Sequence, residues 1–143
     1  MTSEATQNSS PGRILIIDDD KTIGGMVQAV LNRFQYQVRW AETGAAGLSE
    51  LTSFSPDLVL LDVSLPDMDG VEVLHQMRMI FPKVKIIMMT GFHDDNLTQQ
   101  ARNEGVTDFL DKPFTVQELI DLVSGYFPTP PRRRSLMAVA YAV

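Results

Sequence analysis

Cysteine is absent from this chain. Disulfide staples, thiolate metal sites and thiol nucleophiles are therefore excluded, and the fold must stand on packing alone. Histidine occurs only twice, at His75 and His93, with no paired cysteine or histidine at metal-ligand spacing, so both are read as surface residues. No apolar run approaches the roughly 18 to 20 residues that a membrane-spanning helix needs. The opening MTSEATQNSSPG has neither a basic start nor a signal-peptide apolar block. These absences lead to the expectation of a cytoplasmic protein with a disordered tail over residues 1–12. An excess of cations is also missing. Asp and Glu number 18 against 12 Lys and Arg, for a net charge of −6, and three of the cations are Arg132, Arg133 and Arg134. The body of the chain is expected to repel nucleic acid. The segment 128–143, PTPPRRRSLMAVAYAV, reads as a Pro/Arg-rich linker-like tail.

What is present is an ordinary globular composition, 44% hydrophobic over 143 residues, suited to one domain, expected over 13–127. Strand signals RILII (13–17), QVRWA (37–41), DLVLL (57–61), KIIMM (85–89) and DFL (108–110) alternate with helical ones. That alternation predicts a parallel sheet with helices on both faces. The first helix is marked over about 21–35 by Ile23, Met26, Val27, Val30, Leu31 and Phe34 at helical spacing. Others are expected at about 44–53, 71–80 and 95–104, the last two ended by Pro82 and Gly105. The final helix opens on a capping box, Thr115-Val116-Gln117-Glu118, and stops near Phe127.

Ligands of an open parallel sheet bind at the carboxyl ends of its strands. There this sequence places Asp18-Asp19-Asp20, then Asp62 closing the apolar run of LVLLDVSLPDMDG, then Thr90-Gly91, then Asp111-Lys112-Pro113. Crowded carboxylates repel one another unless a raised pKa or a bound cation relieves them. An all-oxygen set with open positions favours Mg²⁺. With an ammonium and a hydroxyl nearby, such a rim suits phosphoryl transfer, with Asp62 as the nucleophile that forms an aspartyl-phosphate. Asp20 is expected to sit solvated at the mouth of the first helix.

The motifs IIDDD (16–20), LLDVSLPDMDG (60–70), MMTG (88–91) and DFLDKPF (108–114), in this order and spacing, resemble the receiver domain of bacterial two-component response regulators. The resemblance spans 13–127 and covers both chemotaxis-regulator-like and sporulation-phosphorelay-like single-domain receivers. It implies a doubly wound, flavodoxin-like α/β fold with five parallel strands in the order 2-1-3-4-5. By the same resemblance Asp62 is the phosphoacceptor, and Asp18, Asp19, Asp62 and the Ser64 backbone carbonyl hold Mg²⁺. Thr90 and Phe109 are then the switch pair, and Lys112 the amine that contacts the phosphate. Lys112-Pro113 is implied to be cis. The implied partners are a sensor histidine kinase or histidine phosphotransfer protein upstream and a protein bound through the helix 4–strand 5–helix 5 face downstream. Such a protein is a phosphoacceptor that assists its own phosphorylation and dephosphorylation rather than a conventional enzyme. Phe109 stands where the family often has tyrosine, so any signal carried by that hydroxyl is lost. Ser64 and Phe92 occupy positions that in this family tune phosphate lifetime.

Three other readings compete. DMDG (67–70) hints at a calcium loop, but aligning Gly70 with loop position six puts Leu65 and Gln76 where acids are required. A haloacid-dehalogenase-like phosphatase also uses a strand-end aspartate, yet its nucleophile follows the first strand. A phosphorylation-independent receiver-like scaffold would have no need of the complete set of acidic, hydroxyl and amine residues found here.

Overall fold

A computed structural model describes residues 12–91 and 94–127. The segments 1–11 and 128–143, with Phe92 and His93, lie outside the described residues, and with them the expectations for the two tails. In chain order the elements are β1 (Arg13–Ile17), α1 (Lys21–Arg33), β2 (Gln37–Ala41), α2 (Gly44–Phe54), β3 (Leu58–Asp62), α3 (Gly70–Ile80), β4 (Lys85–Thr90), α4 (Asp95–Asn103), β5 (Asp108–Asp111) and α5 (Val116–Ser124). The strands form one sheet in the order β2-β1-β3-β4-β5, every neighbouring pair parallel.

A strand covered on both faces needs apolar residues at every position, because successive side chains point to opposite sides. In β1, Ile14 and Ile16 pack with Val27 and Leu31 of α1 and Leu119, Ile120 and Val123 of α5. Leu15 and Ile17 face the other way, onto Leu51 and Phe54 of α2 and Val73, Leu74 and Met77 of α3. Strand β3 divides likewise, with Leu58 and Leu60 on the first side and Val59 and Leu61 on the second.

Element ends follow their local chemistry. Asp20 caps α1, its carboxylate accepting the N–H groups of Thr22 and Ile23. Thr115 and Glu118 form the reciprocal capping box of α5, as expected from sequence. Gly105 takes a left-handed φ of 85° just beyond α4, a conformation without steric cost only for glycine. Strands β4 and β5 each run one residue further than expected, to Thr90 and Asp111, helices α2, α3 and α4 each shift by one residue at one end, and three further elements differ for a local reason. Strand β3 covers 58–62 rather than 57–61: Asp57 stands just before it, its N–H donating to Arg13 O at 2.8 Å and its carboxylate accepting the Arg13 N–H at 2.8 Å, while Asp62 extends the pairing opposite Met89. Helix α1 ends at Arg33, because Phe34 and Gln35 turn the chain, Gln35 at a φ of 70°. Helix α5 ends at Ser124, and Tyr126 and Phe127 donate N–H bonds only three residues back.

Candidate functional site

Register explains why two distant aspartates meet. Ile14 pairs with Leu58, Ile16 with Leu60 and Ile17 with Leu61, so the next step along both strands sets Asp18 beside Asp62. Each lies two residues beyond an inward residue of the same face, Ile16 and Leu60, and the period-two alternation turns both carboxylates the same way. Carboxylate oxygens of Asp18, Asp19 and Asp62 all lie within 4.8 Å of one another. Asp18 is fully buried and Asp62 nearly so, whereas Asp19 is exposed at the mouth.

One cation stands among these acids. The Lys112 ammonium lies 3.2 Å from Asp62 Oδ1 and 3.3 Å from Asp18 Oδ2. The lysine arrives there because β5 pairs with β4 as far as Thr90 and Asp111, after which the Lys112 N–H donates to Thr90 O at 2.7 Å. Lys112-Pro113 is cis, as the resemblance implied. Thr90 is itself buried at the end of β4.

Burial, and then the charge of Asp18, push the Asp62 carboxyl up from 3.8 to about 6, while Lys112 and the Ser64 N–H pull against them. Burial alone would lower the Lys112 pKa, but Asp62 and Asp18 together outweigh it and raise it. The pair therefore holds an ammonium beside a carboxylate that is ionised at neutral pH yet poorly solvated. Such a carboxylate is primed to accept a covalent or ionic partner.

The β3–α3 loop is built to approach this rim closely. A Cβ on Gly70 would come within 2.7 Å of Val63 O and 2.8 Å of Val63 Cα, backbone atoms that cannot yield, so only glycine fits. Ser64 bridges to Asp69, and its N–H lies 3.4 Å from Asp62 Oδ1. Phe109 is half-buried in β5 and packs against the cluster formed with α2, α3 and α4.

The structure thus brings together Asp18, Asp19, Asp62 and Lys112, with Thr90 and Ser64 at the edges, leaving Phe109 as a neighbour. Among the described residues these three aspartates form the only acid or histidine cluster suited to a metal ion. An all-carboxylate set matches the ligand preference of Mg²⁺. His75 stands apart on α3, exposed, its Nδ1 2.7 Å from Glu104 Oε1.

Sequence reasoning passed over three supporting contacts. The Asp67 carboxylate accepts the N–H groups of Gly44 and Ala45 at 2.8 and 3.0 Å, tying the β3–α3 loop to the start of α2. Those bonds lower its pKa. Trp40 Nε1 donates to Asp18 O at 2.8 Å. Arg78 donates to Gly105 O at 2.9 Å and Val84 O at 2.6 Å. Only the spare acid in PDMDG could have drawn attention beforehand, since the other contacts end on backbone carbonyls that carry no sequence signal.

Comparison with known proteins agrees with this geometry. The family model described as "Response regulator receiver domain" matches residues 14–124. The chain is 36% identical over 116 residues to sporulation initiation phosphotransferase F of Bacillus subtilis, covering 81% of this chain and 94% of that protein. It is 31% identical over 113 residues to the chemotaxis protein CheY of the same organism, covering 78% and 94%. Against the DNA-binding transcriptional regulator NtrC of Escherichia coli it is 33% identical, but it spans only 24% of that protein. Among solved structures, a CheY-like receiver domain protein from Methanospirillum hungatei superimposes with a TM-score of 0.79 at 32% identity, covering 81% of this chain and 93% of that one.

Proposed function

The chain belongs to the response regulator receiver family, and on that premise we propose that Asp62 is its phosphoacceptor in a two-component or phosphorelay pathway. The observation that carries this reading is the meeting of Asp62 with Asp18, Asp19 and Lys112 at the carboxyl ends of β1, β3 and β5. The phosphoryl donor is a phosphohistidine on a sensor kinase or phosphotransfer protein. An Asp62 oxygen attacks phosphorus as the P–N bond breaks, and the imidazole leaves with the bonding electron pair.

Asp18, Asp19, Asp62 and the Ser64 carbonyl would hold Mg²⁺, which when bound neutralises charge on the phosphoryl oxygens. The chain's own groups do the remainder. Lys112, already 3.2 Å from Asp62 Oδ1, shifts toward a phosphoryl oxygen as the carboxylate becomes an acyl phosphate. Thr90 supplies a hydroxyl to another, and Phe109 moves with it. Burial of Asp18 and Asp62 keeps bulk water off the acceptor oxygen. The altered edge is read by a protein that docks on α4, β5 and α5. The cytoplasm is the compartment proposed for the protein, on the ground of these partners. No helix among the described residues is long and apolar enough to cross a membrane. No direct nucleic-acid contact is assigned to this domain.

The test is incubation with Mg²⁺ and acetyl phosphate followed by intact mass measurement. One added phosphate is expected for the wild type and none for Asp62→Asn or for protein stripped of Mg²⁺. An adduct that persists in Asp62→Asn overturns the assignment.

A further inference from the structure

On the reading that Asp18 and Asp19 hold a divalent cation, we propose that Trp40, the chain's single tryptophan, is a positioning residue for that cation. Its indole sets where the Asp18–Asp19 segment stands, and Gly24 sets where the indole stands.

Both backbone groups of Asp18 are taken by the last two residues of β2. The Asp18 N–H donates to Ala41 O at 3.0 Å, and Asp18 O accepts Trp40 Nε1 at 2.8 Å. The first bond merely continues the β1–β2 ladder, in which Ile16 pairs with Trp40 and Ile17 with Ala41. The second does not belong to the ladder, and a phenylalanine filling the same space would lack it.

The same ring also fixes the far end of the acidic segment. Gly24 is buried on α1, and a Cβ there would overlap the indole, falling 2.6 Å from Nε1 itself. The Gly24 N–H donates to Asp20 O at 2.8 Å. The Asp20 N–H in turn donates to Asp18 Oδ1 at 2.9 Å. Residues 18–24 therefore form a closed arch, with the indole bonded to one foot and packed beneath the other, and Asp19 projects from it. A carboxylate pair that must meet a small, geometrically demanding ion gains most from such outer support, because groups that orient ligands commonly control affinity by roughly 10–100-fold.

The test uses the full chain and Mg²⁺ alone, with affinity measured by calorimetry for wild type, Trp40→Phe, Gly24→Ala and Asp19→Asn. The wild type should bind and Asp19→Asn should lose binding. Trp40→Phe and Gly24→Ala should bind roughly tenfold more weakly while still unfolding cooperatively. In the wild type, the indole N–H proton resonance should shift as Mg²⁺ is added, and in Asp19→Asn it should not. That signal decides the matter even if a Trp40 or Gly24 variant fails to fold. Wild-type affinity in Trp40→Phe, or an indole resonance unmoved at Mg²⁺ saturation, overturns the inference while leaving the cation site standing. Absence of Mg²⁺ binding by the wild type overturns the cation reading and this inference with it.

Discussion

Asp62 carries its charge where the surroundings disfavour it, and the cost should be visible in stability. Its folded pKa of about 6 lies above the ordinary 3.8 because of burial and the neighbouring Asp18. The folded state therefore binds the proton more tightly than the unfolded chain does. The resulting destabilisation is absent below about pH 3.8, grows as pH rises between the two values and is complete above about 6. In chelator-treated protein, Asp62→Asn should therefore melt higher than wild type at pH 7.5, and this advantage should shrink as pH falls through 6 toward 3.8. A difference in melting temperature that does not change with pH would show that the ionised carboxylate is not its source. His75 works in the opposite sense. The hydrogen bond and then the charge of Glu104 raise its pKa above the ordinary 6.5, with a smaller contribution from Glu72. Its stabilising contact is complete below 6.5 and is lost as pH rises through the folded value. Both partners are partly exposed, so the energetic effect is small and the better readout is the His75 ring resonance. Glu104→Gln should bring its titration midpoint down toward 6.5.

Element positions depend on side chains that bind backbone. Arg78 on α3 reaches the loop after α4 at Gly105 O and the chain entering β4 at Val84 O, with longer contacts to Pro82 O and Thr107 Oγ1. Thr107 Oγ1 in turn accepts the Ile86 N–H at 2.8 Å. Arg78→Ala would strip carbonyls of their donor at a half-buried junction and should cost about 1–3 kcal/mol in urea unfolding. Lysine at this position can reach only part of the set and should recover only part of the loss. The α5 capping box is a simpler case, in which Thr115→Ala should cost about 1 kcal/mol. Because no site residue lies on α5, phosphorylation by acetyl phosphate should be unchanged in that variant. Gly70→Ala should do more, since its methyl would press on the Val63 backbone and move the loop that carries Ser64. Reduced stability together with weaker Mg²⁺ binding is expected, and Mg²⁺ affinity equal to wild type would separate that loop from the cation site.

At the scale of the whole molecule, a cation that binds only the assembled rim must stabilise the fold by linkage. At a hundredfold excess over Kd the gain is about 2.7 kcal/mol. The unfolding midpoint of the wild type should rise with Mg²⁺, while that of Asp19→Asn should not. An equal rise in both would place the ion elsewhere. The architecture behind this linkage was largely legible in the sequence. Strands buried on both faces must be apolar throughout, and the crossover helices must carry an apolar stripe, so RILII, LVLL and the Ile23-to-Phe34 periodicity determined the layered α/β class. The acids, hydroxyl and lysine at four strand ends determined where the candidate site lies, because in a parallel sheet all those ends lie on one edge. Only the tertiary structure decided which groups support the site. The β1–β3 register sets Asp18 against Asp62 and lifts the latter's pKa. The indole of Trp40 on the Asp18 carbonyl, the Asp67 carboxylate on the start of α2 and the Arg78 guanidinium on Gly105 and Val84 follow from folding alone. Each joins a side chain to a backbone group distant in sequence. Every residue offers the same peptide N–H and C=O, so nothing in the order of side chains marks which of them will be met.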